Sequence, residues 1–262
     1  MSETVIEIER FTFSLGWKVI LRDITVSVHK SDFLSIIGPN GAGKTTLLKC
    51  LTRILSGGSG TITVCGKSLE TYRQKDLAKL VSYVPQLDGR SLPFTVEEFV
   101  SLGRYPYLSP FSSLGEEDKK YVQEIMELTA VAEFAGRRME TLSGGERQKV
   151  LITAALAQGA QILLLDEPTS FLDYKHQVEI NGLLRSLNRS EGKTVVAVTH
   201  DINNAVLSSN RVLALKKGET VFMGTTQELM KKSLLESIYE TSFLFIEHPG
   251  KGLPIIRPEE RS

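Results

Sequence analysis

The sequence predicts an α/β protein: a largely parallel sheet with helices on both faces, a small antiparallel β part near the start, and a helical segment inserted in the middle. Three observations predict this. Near-continuous apolar runs at 33–37, 162–165, 195–198 and 212–215 have the length and composition of strands buried on both faces. A glycine-rich turn at 38–43 separates the first of these runs from a helical pattern. From about 87 to 157 the apolar residues switch to helical spacing, as in Tyr121, Val122, Ile125, Met126 and Leu128. Of the 262 residues, 31 are Lys or Arg and 31 are Asp or Glu, so the formal net charge is zero. With 41% hydrophobic and 24% charged residues, the chain is not disordered, collagen-like or membrane-spanning. The neutral balance offers no electrostatic footprint for nucleic acid or anionic lipid. The length suffices to bury a proper core.

Residues 4–9, 19–28 and 61–64 are rich in Val, Ile and Thr and read as strands, and 33–37 as a buried strand. A helix starts near Lys44 and runs through Leu47, Leu48 and Leu51. Thr95 followed by Glu98 three residues on is a capped helix start, and 116–128 is an amphipathic helix. Strands and helices alternate again in the last third, with a turn at 224–230 and a helix at 234–239. The expected organisation is one domain over 1–240, with the helical subdomain at about 87–157 inserted, and a C-terminal tail at 241–262. The tail is polar and Pro-containing from 254 and carries no assigned structure.

Cys50 and Cys65 are too few for a disulfide framework and read as two small buried apolar residues in a reducing compartment. The acidic start shows no secretory signal, and no apolar stretch approaches the ~20 residues that span a bilayer. The chain is therefore expected in the cytoplasm, held at a membrane only by a partner. His176, His248 and the doublets Lys119-Lys120, Arg137-Arg138, Lys216-Lys217 and Lys231-Lys232 read as solvated groups.

The chemistry begins at Gly38-Pro39-Asn40-Gly41-Ala42-Gly43-Lys44-Thr45, which fits G-x-x-x-x-G-K-[ST] between strand and helix. Glycines let backbone N–H groups wrap a polyphosphate, and the following helix aims its positive end at the anion. Lys44 adds charge at the β/γ-phosphates, and Thr45 offers a hydroxyl to Mg²⁺. At average residue frequencies such a match arises by chance in about one of ~100 chains this long. Asp166 and Glu167 end the apolar run at 162–165. Asp166 is placed for the Mg²⁺ shell, and Glu167 to activate water at the γ-phosphate. His200 ends the run at 195–198 and can reach the same phosphate. Gln86 lies in a loop between the phosphate motif and the helical insertion.

Leu142-Ser143-Gly144-Gly145-Glu146-Arg147-Gln148 is a second anion-binding device: small residues, exposed N–H groups and a helix N-terminus. The chain thus carries two half-sites for one polyphosphate. A head-to-tail dimer would join each phosphate loop to the other subunit's Ser-Gly-Gly motif.

Across 3–240 these motifs, in this order, resemble the ATP-binding cassette (ABC) ATPase subunits. In that resemblance 38–46, including Thr46, is the Walker A loop, Gln86 the Q-loop glutamine that contacts Mg²⁺, and Ser143, Gly144 and Gly145 the heart of the signature. Asp166 and Glu167 match the Walker B aspartate and catalytic glutamate, 170–173 the D-loop, and His200 the switch histidine. The family often stacks adenine on an aromatic residue after the first strand. Leu15 stands there instead; Trp17 either takes over the stacking or packs on the surface. The D-loop also departs from the family in having Phe171 before Leu172-Asp173.

The wording at 102–107, 154–158 and 199–205 is similar to subunits of importers for iron–siderophore complexes, haem and cobalamin. The resemblance implies ATP and Mg²⁺, a homodimer, a separate integral-membrane permease docked on the helical subdomain, and indirectly a substrate-binding protein, with no nucleic acid; Tyr105-Pro106-Tyr107-Leu108 reads either as part of that docking surface or as a locally packed turn. It implies a peripheral place on the cytoplasmic face of the membrane. The alternatives are an importer subunit for another cargo, a soluble ABC ATPase of DNA repair or translation, and a non-hydrolysing clamp. No coiled-coil insertion and only one cassette are present, and Glu167 and His200 are intact.

Overall fold

The computed structural model describes residues 3–86, 92–109, 112–247, 250 and 252–259. His248, Leu87 and the last three residues of the tail lie outside that description. The chain forms two compact units, 1–70 with 196–262, and 71–195.

The first unit opens with the long strands β1 (Thr4–Leu15) and β2 (Lys18–His29), joined by a tight turn at Gly16 and Trp17. β3 (Phe33–Ile37) is buried throughout and leads through the glycine-rich turn into α1 (Lys44–Leu51). β4 (Ser59–Val64) and β5 (Lys67–Ser68) complete an antiparallel sheet in the order β2-β1-β4-β5. This is the expected small antiparallel part.

The second unit contains α2 (Gln74–Ala78) and β6 (Val81–Val84), then α3 (Val96–Ser101), a 3₁₀ stretch at Leu102–Tyr107, α4 (Glu116–Leu128) and α5 (Gly144–Ala157). Thr95 closes the expected capping box with Glu98. α3, α4 and α5 share a buried cluster of their own, including Val96, Val100, Val122, Met126 and Val150. β7 (Ile162–Asp166) pairs in parallel with β6, and α6 (Tyr174–Arg189) follows.

β8 (Thr194–Val198) crosses the division between the units and is buried throughout. Back in the first unit come α7 (Ile202–Ser208), β9 (Arg211–Lys216), β10 (Glu219–Thr225), α8 (Thr226–Leu229) and α9 (Lys232–Tyr239). β9 pairs in parallel with β3 and antiparallel with β10. No described helix is long and apolar enough to cross a membrane.

Several expectations need correction. The segment after 240, to which the sequence assigned no structure, carries a hairpin: β11 (Phe243–Ile246) and β12 (Ile255–Pro258) pair antiparallel, and Phe243 and Ile256 enter the buried cluster beneath α7 and α9. Phe245 and Leu253, half-buried, pack against the same cluster. Cys65 is exposed, at positive φ in the turn between β4 and β5; only Cys50 is buried, and burial pushes its thiol up to about 12. Arg137, Lys216 and His176 are engaged rather than merely solvated.

Candidate functional site

The candidate site residues fall into two sets, one in each unit. In the first unit the buried β3 ends at Ile37, and the chain turns through Gly38, Gly41 and Gly43, all at positive φ. Gly38 cannot carry a side chain: a Cβ there would lie 2.0 Å from the Leu215 carbonyl oxygen. Gly43 is the left-handed N-cap of α1, whose first turn carries no acidic residue and no side-chain cap. The positive end of α1 therefore meets no carboxylate from its own first turn. Pro39 accepts from the Ala42 N–H at 3.2 Å, closing the loop on itself around Asn40. Lys44 folds back over this loop, and its ammonium donates to the Gly38 carbonyl at 2.8 Å and the Pro39 carbonyl at 3.0 Å. A buried charge is thereby held at the centre of the loop. Thr45 and Thr46 are half-buried in the first turn of α1.

His200 lies just past the end of β8 and is exposed. Its loop is fixed on either side. Thr199 is buried and donates its N–H to Ile36 at 3.1 Å, and Asp201 caps α7 by accepting the Asn204 N–H. Trp17 is 96% exposed on the β1–β2 turn, and Leu15 beside it is also exposed.

In the second unit Asp166 ends β7, fully buried, and accepts from the Tyr83 hydroxyl at 3.3 Å. Burial, with the Asp166 charge and this bond, raises the Tyr83 phenol far above its usual range, so it stays a neutral donor. Glu167 follows at φ +49, an uncommon conformation for a side chain of this size. Its carboxylate accepts from Ser170 Oγ at 2.7 Å and from Gln86 Nε2 at 3.2 Å. The strained turn and the two donors set the direction of that carboxylate. Gln86 and Glu167, remote in sequence, are thus brought together.

Ser143 is the N-cap of α5, in a capping box with Glu146. Its hydroxyl accepts the Glu146 N–H, and its N–H donates to the Glu146 carboxylate at 2.8 Å. The Ser143 hydroxyl also bonds the Glu146 carboxylate, so its proton is engaged within the box. Arg137 adds an ion pair to Glu146 at 3.1 Å and donates to the Thr141 carbonyl at 2.9 Å. The Ser143 N–H and then Arg137 outweigh burial and hold the Glu146 carboxyl below its usual range. Gly144 and Gly145 form the first turn of α5. A Cβ on Gly145 would sit 2.2 Å from the His176 ring, so glycine is needed where α6 packs on this helix. Phe171 is exposed at φ +64, and Asp173 caps α6.

Sequence reasoning missed Tyr83, Ser170, Arg137 and His176 as supports. Only Ser170 left a signal, three residues after Glu167 in a turn. Among the described residues no three His, Cys, Asp or Glu side chains converge as a metal cluster. Each unit has hard oxygen donors of the kind Mg²⁺ takes: the Thr45 hydroxyl in the first, and the Gln86 amide and Asp166 carboxylate in the second.

A family model described as ABC transporter matches residues 21–170. The iron(3+)-hydroxamate import ATP-binding protein FhuC of Bacillus subtilis (strain 168) is 40% identical over 247 residues, covering 94% of this chain and 92% of that protein. The ferric enterobactin transport ATP-binding protein FepC of Escherichia coli (strain K12) is 36% identical, covering 100% and 97%. Among solved structures, a transporter described as of the metal-chelate ABC type, caught facing inward, matches with a TM-score of 0.87 at 27% identity, over 98% of both chains. A dimeric bacterial ABC transporter cassette matches with a TM-score of 0.72 at 31% identity, over 84% of this chain and 98% of that one.

Proposed function

The chain belongs to the ABC transporter family as an ATP-hydrolysing subunit with the ABC ATPase fold, and from that premise we infer that it drives import of an iron–siderophore complex or a chemically related chelate. The similarity to FhuC and FepC over nearly the whole chain supports this cargo class. We further infer that two copies close head to tail around two ATP molecules, and that a separate integral-membrane permease holds them on the cytoplasmic face. The helical segment 87–157, within a single cassette over 1–240, is the element that meets the permease, and a substrate-binding protein delivers the cargo on the far side.

The observation that carries the catalytic assignment is the doubly oriented Glu167 carboxylate. Held by Gln86 and Ser170, it is set to take a proton from the attacking water. Lys44 and the N–H groups of 38–46 neutralise the phosphates in the loop. Thr45, Asp166 and Gln86 would hold Mg²⁺, which when bound supplies positive charge to the β/γ-phosphates. His200 steadies the γ-phosphate from its own loop. Ser143, Gly144 and Gly145 of the partner close the site with the N-terminal dipole and N–H groups of α5. Trp17, exposed on its turn, stacks the adenine.

Lys44→Ala abolishes ATP hydrolysis, and near-normal turnover in that variant refutes the phosphate-loop assignment. Glu167→Gln retains ATP and accumulates as a dimer on size-exclusion chromatography. If it stays monomeric with saturating ATP, the head-to-tail arrangement is wrong. Co-purification with a permease, rather than with ribosomes or DNA, tests the transport role.

A further inference from the structure

One buried cluster in the first unit contains Ile37, Ile202, Ile238, Phe243 and Ile256. Ile37 immediately precedes Gly38, and Ile202 follows His200 by two positions. The phosphate loop and the His200 loop therefore both leave from a core to which α9 and the C-terminal hairpin contribute Leu235, Ile238, Phe243 and Ile256. Two polar contacts tighten this arrangement. The Gly38 N–H donates to the Tyr239 hydroxyl oxygen at 3.2 Å. In the first turn of α7, Asn203 makes a reciprocal pair with β12: its amide donates to the Ile256 carbonyl at 2.9 Å, and its carbonyl accepts the Ile256 N–H at 2.8 Å.

Gly38 is the most constrained point of the loop. Its φ is +135°, and the Leu215 carbonyl closes the side where a Cβ would stand. The residue is buried, so its N–H requires an acceptor. The Tyr239 oxygen is that acceptor, and it is well anchored. The ring meets Phe243 edge-on, with centroids 5.9 Å apart and planes at 76°. Lys216 of β9 ties the end of α9 by bonding the Ser237 carbonyl and pairing with Glu240 at 2.9 Å. Burial pushes the phenol up to about 12, with Asp201 adding to the rise, so it remains neutral at any working pH.

We propose that the C-terminal segment is a positioning element for ATP binding: Tyr239 sets the backbone of Gly38 and with it the phosphate loop, while the Asn203–Ile256 pair holds the loop that carries His200. The proposal rests on reading 38–46 as the phosphate loop and His200 as a γ-phosphate contact. Tyr239 touches no substrate atom in this scheme; it acts through Gly38.

The test compares Tyr239→Phe, Tyr239→Leu, Asn203→Ala and Lys44→Ala in the full chain, reading MgATP and MgADP affinity, steady-state ATPase and thermal unfolding. Tyr239→Phe keeps the ring and loses only the oxygen. It is expected to weaken MgATP and MgADP alike, by about tenfold for one buried N–H left without its acceptor. Asn203→Ala is expected to lower kcat about tenfold with MgADP affinity unchanged, because the His200 loop meets only the γ-phosphate. A purely packing role for Tyr239 predicts the opposite pattern, with Tyr239→Phe like wild type and only Tyr239→Leu impaired; that result overturns the proposal. If Tyr239→Phe fails to fold, Asn203→Ala decides, and an unchanged kcat there overturns it. Lys44→Ala separates the two levels. If it binds and turns over ATP normally, the phosphate-loop reading itself fails; if it is inactive while Tyr239→Phe and Asn203→Ala are normal, only the positioning role fails.

Discussion

Gly145→Ala tests how α5 and α6 are fitted together at the Ser-Gly-Gly motif. The added Cβ would stand 2.2 Å from the Cγ and Cδ2 atoms of His176, against an ordinary contact of at least 3.4 Å. The imidazole must retreat by more than 1 Å, and it is not loose: its Nδ1 lies 2.8 Å from Asp173 Oδ1, the carboxylate that caps α6. Overpacking of this kind costs about 1–3 kcal/mol. Loss of the His–Asp hydrogen bond adds about 1 kcal/mol. The better helix propensity of Ala returns up to about 1 kcal/mol, leaving a net loss of about 1–3 kcal/mol. Urea unfolding followed by circular dichroism measures it. The same experiment on His176→Ala and on Gly145→Ala/His176→Ala completes a double-mutant cycle. With the ring gone the new methyl has room, so the double variant recovers at least half of the loss that Gly145→Ala causes. Strictly additive effects would show that the ring is not what excludes a side chain at 145.

Asp32 supplies a pH dependence. Burial alone would raise its carboxyl, but the His29 N–H at 2.9 Å, with Arg211 at 3.0 Å and Asn210 at 3.1 Å, outweighs it and holds the group below its usual 3.8. A lowered folded-state value stabilises above the unfolded value and is lost as pH falls through the folded one. Asp32→Asn is therefore less stable than wild type at neutral pH, and the gap narrows below about pH 4 in acid titrations of stability. Arg104 lies over the rings of Tyr107 and Tyr121, at 3.9 and 4.8 Å, while it pairs with Asp118 at 2.8 Å and donates to the Ala157 carbonyl at 3.0 Å. Arg104→Lys keeps the charge but loses the planar stack and the fork, and the unfolding free energy drops by about 1–2 kcal/mol. An unchanged midpoint would show that the charge alone suffices.

What could be read along the chain were features with a local cause. The strand at 33–37 and the helix at 116–128 match the elements found, because burial on two faces and helical spacing leave direct marks in composition. Thr95 and Glu98 announced their capping box because both partners lie within one turn. The motifs around Lys44 and Ser143 stood out because anion binding demands glycines, hydroxyls and helix starts in fixed succession, whereas Asp166 and His200, each at the end of an apolar run, gained meaning only beside the phosphate motif. β6 passed unnoticed because four residues carry too little pattern, and α6 because its apolar stripe is narrow.

The tertiary structure alone decided which distant groups meet. Gln86 on the Glu167 carboxylate, Tyr83 on Asp166, Arg137 on Glu146, and Tyr239 on the Gly38 N–H are pairings of ordinary side chains. Any of them would be equally at home on a solvated surface. A tyrosine 201 positions from its glycine carries no sign of its partner; only the packing of α9 and the hairpin behind it, against Ile37 and Ile202, brings the two together. Local chemistry is written in the order of the residues, whereas the orientation of that chemistry comes from contacts whose sequence separation leaves no periodic trace.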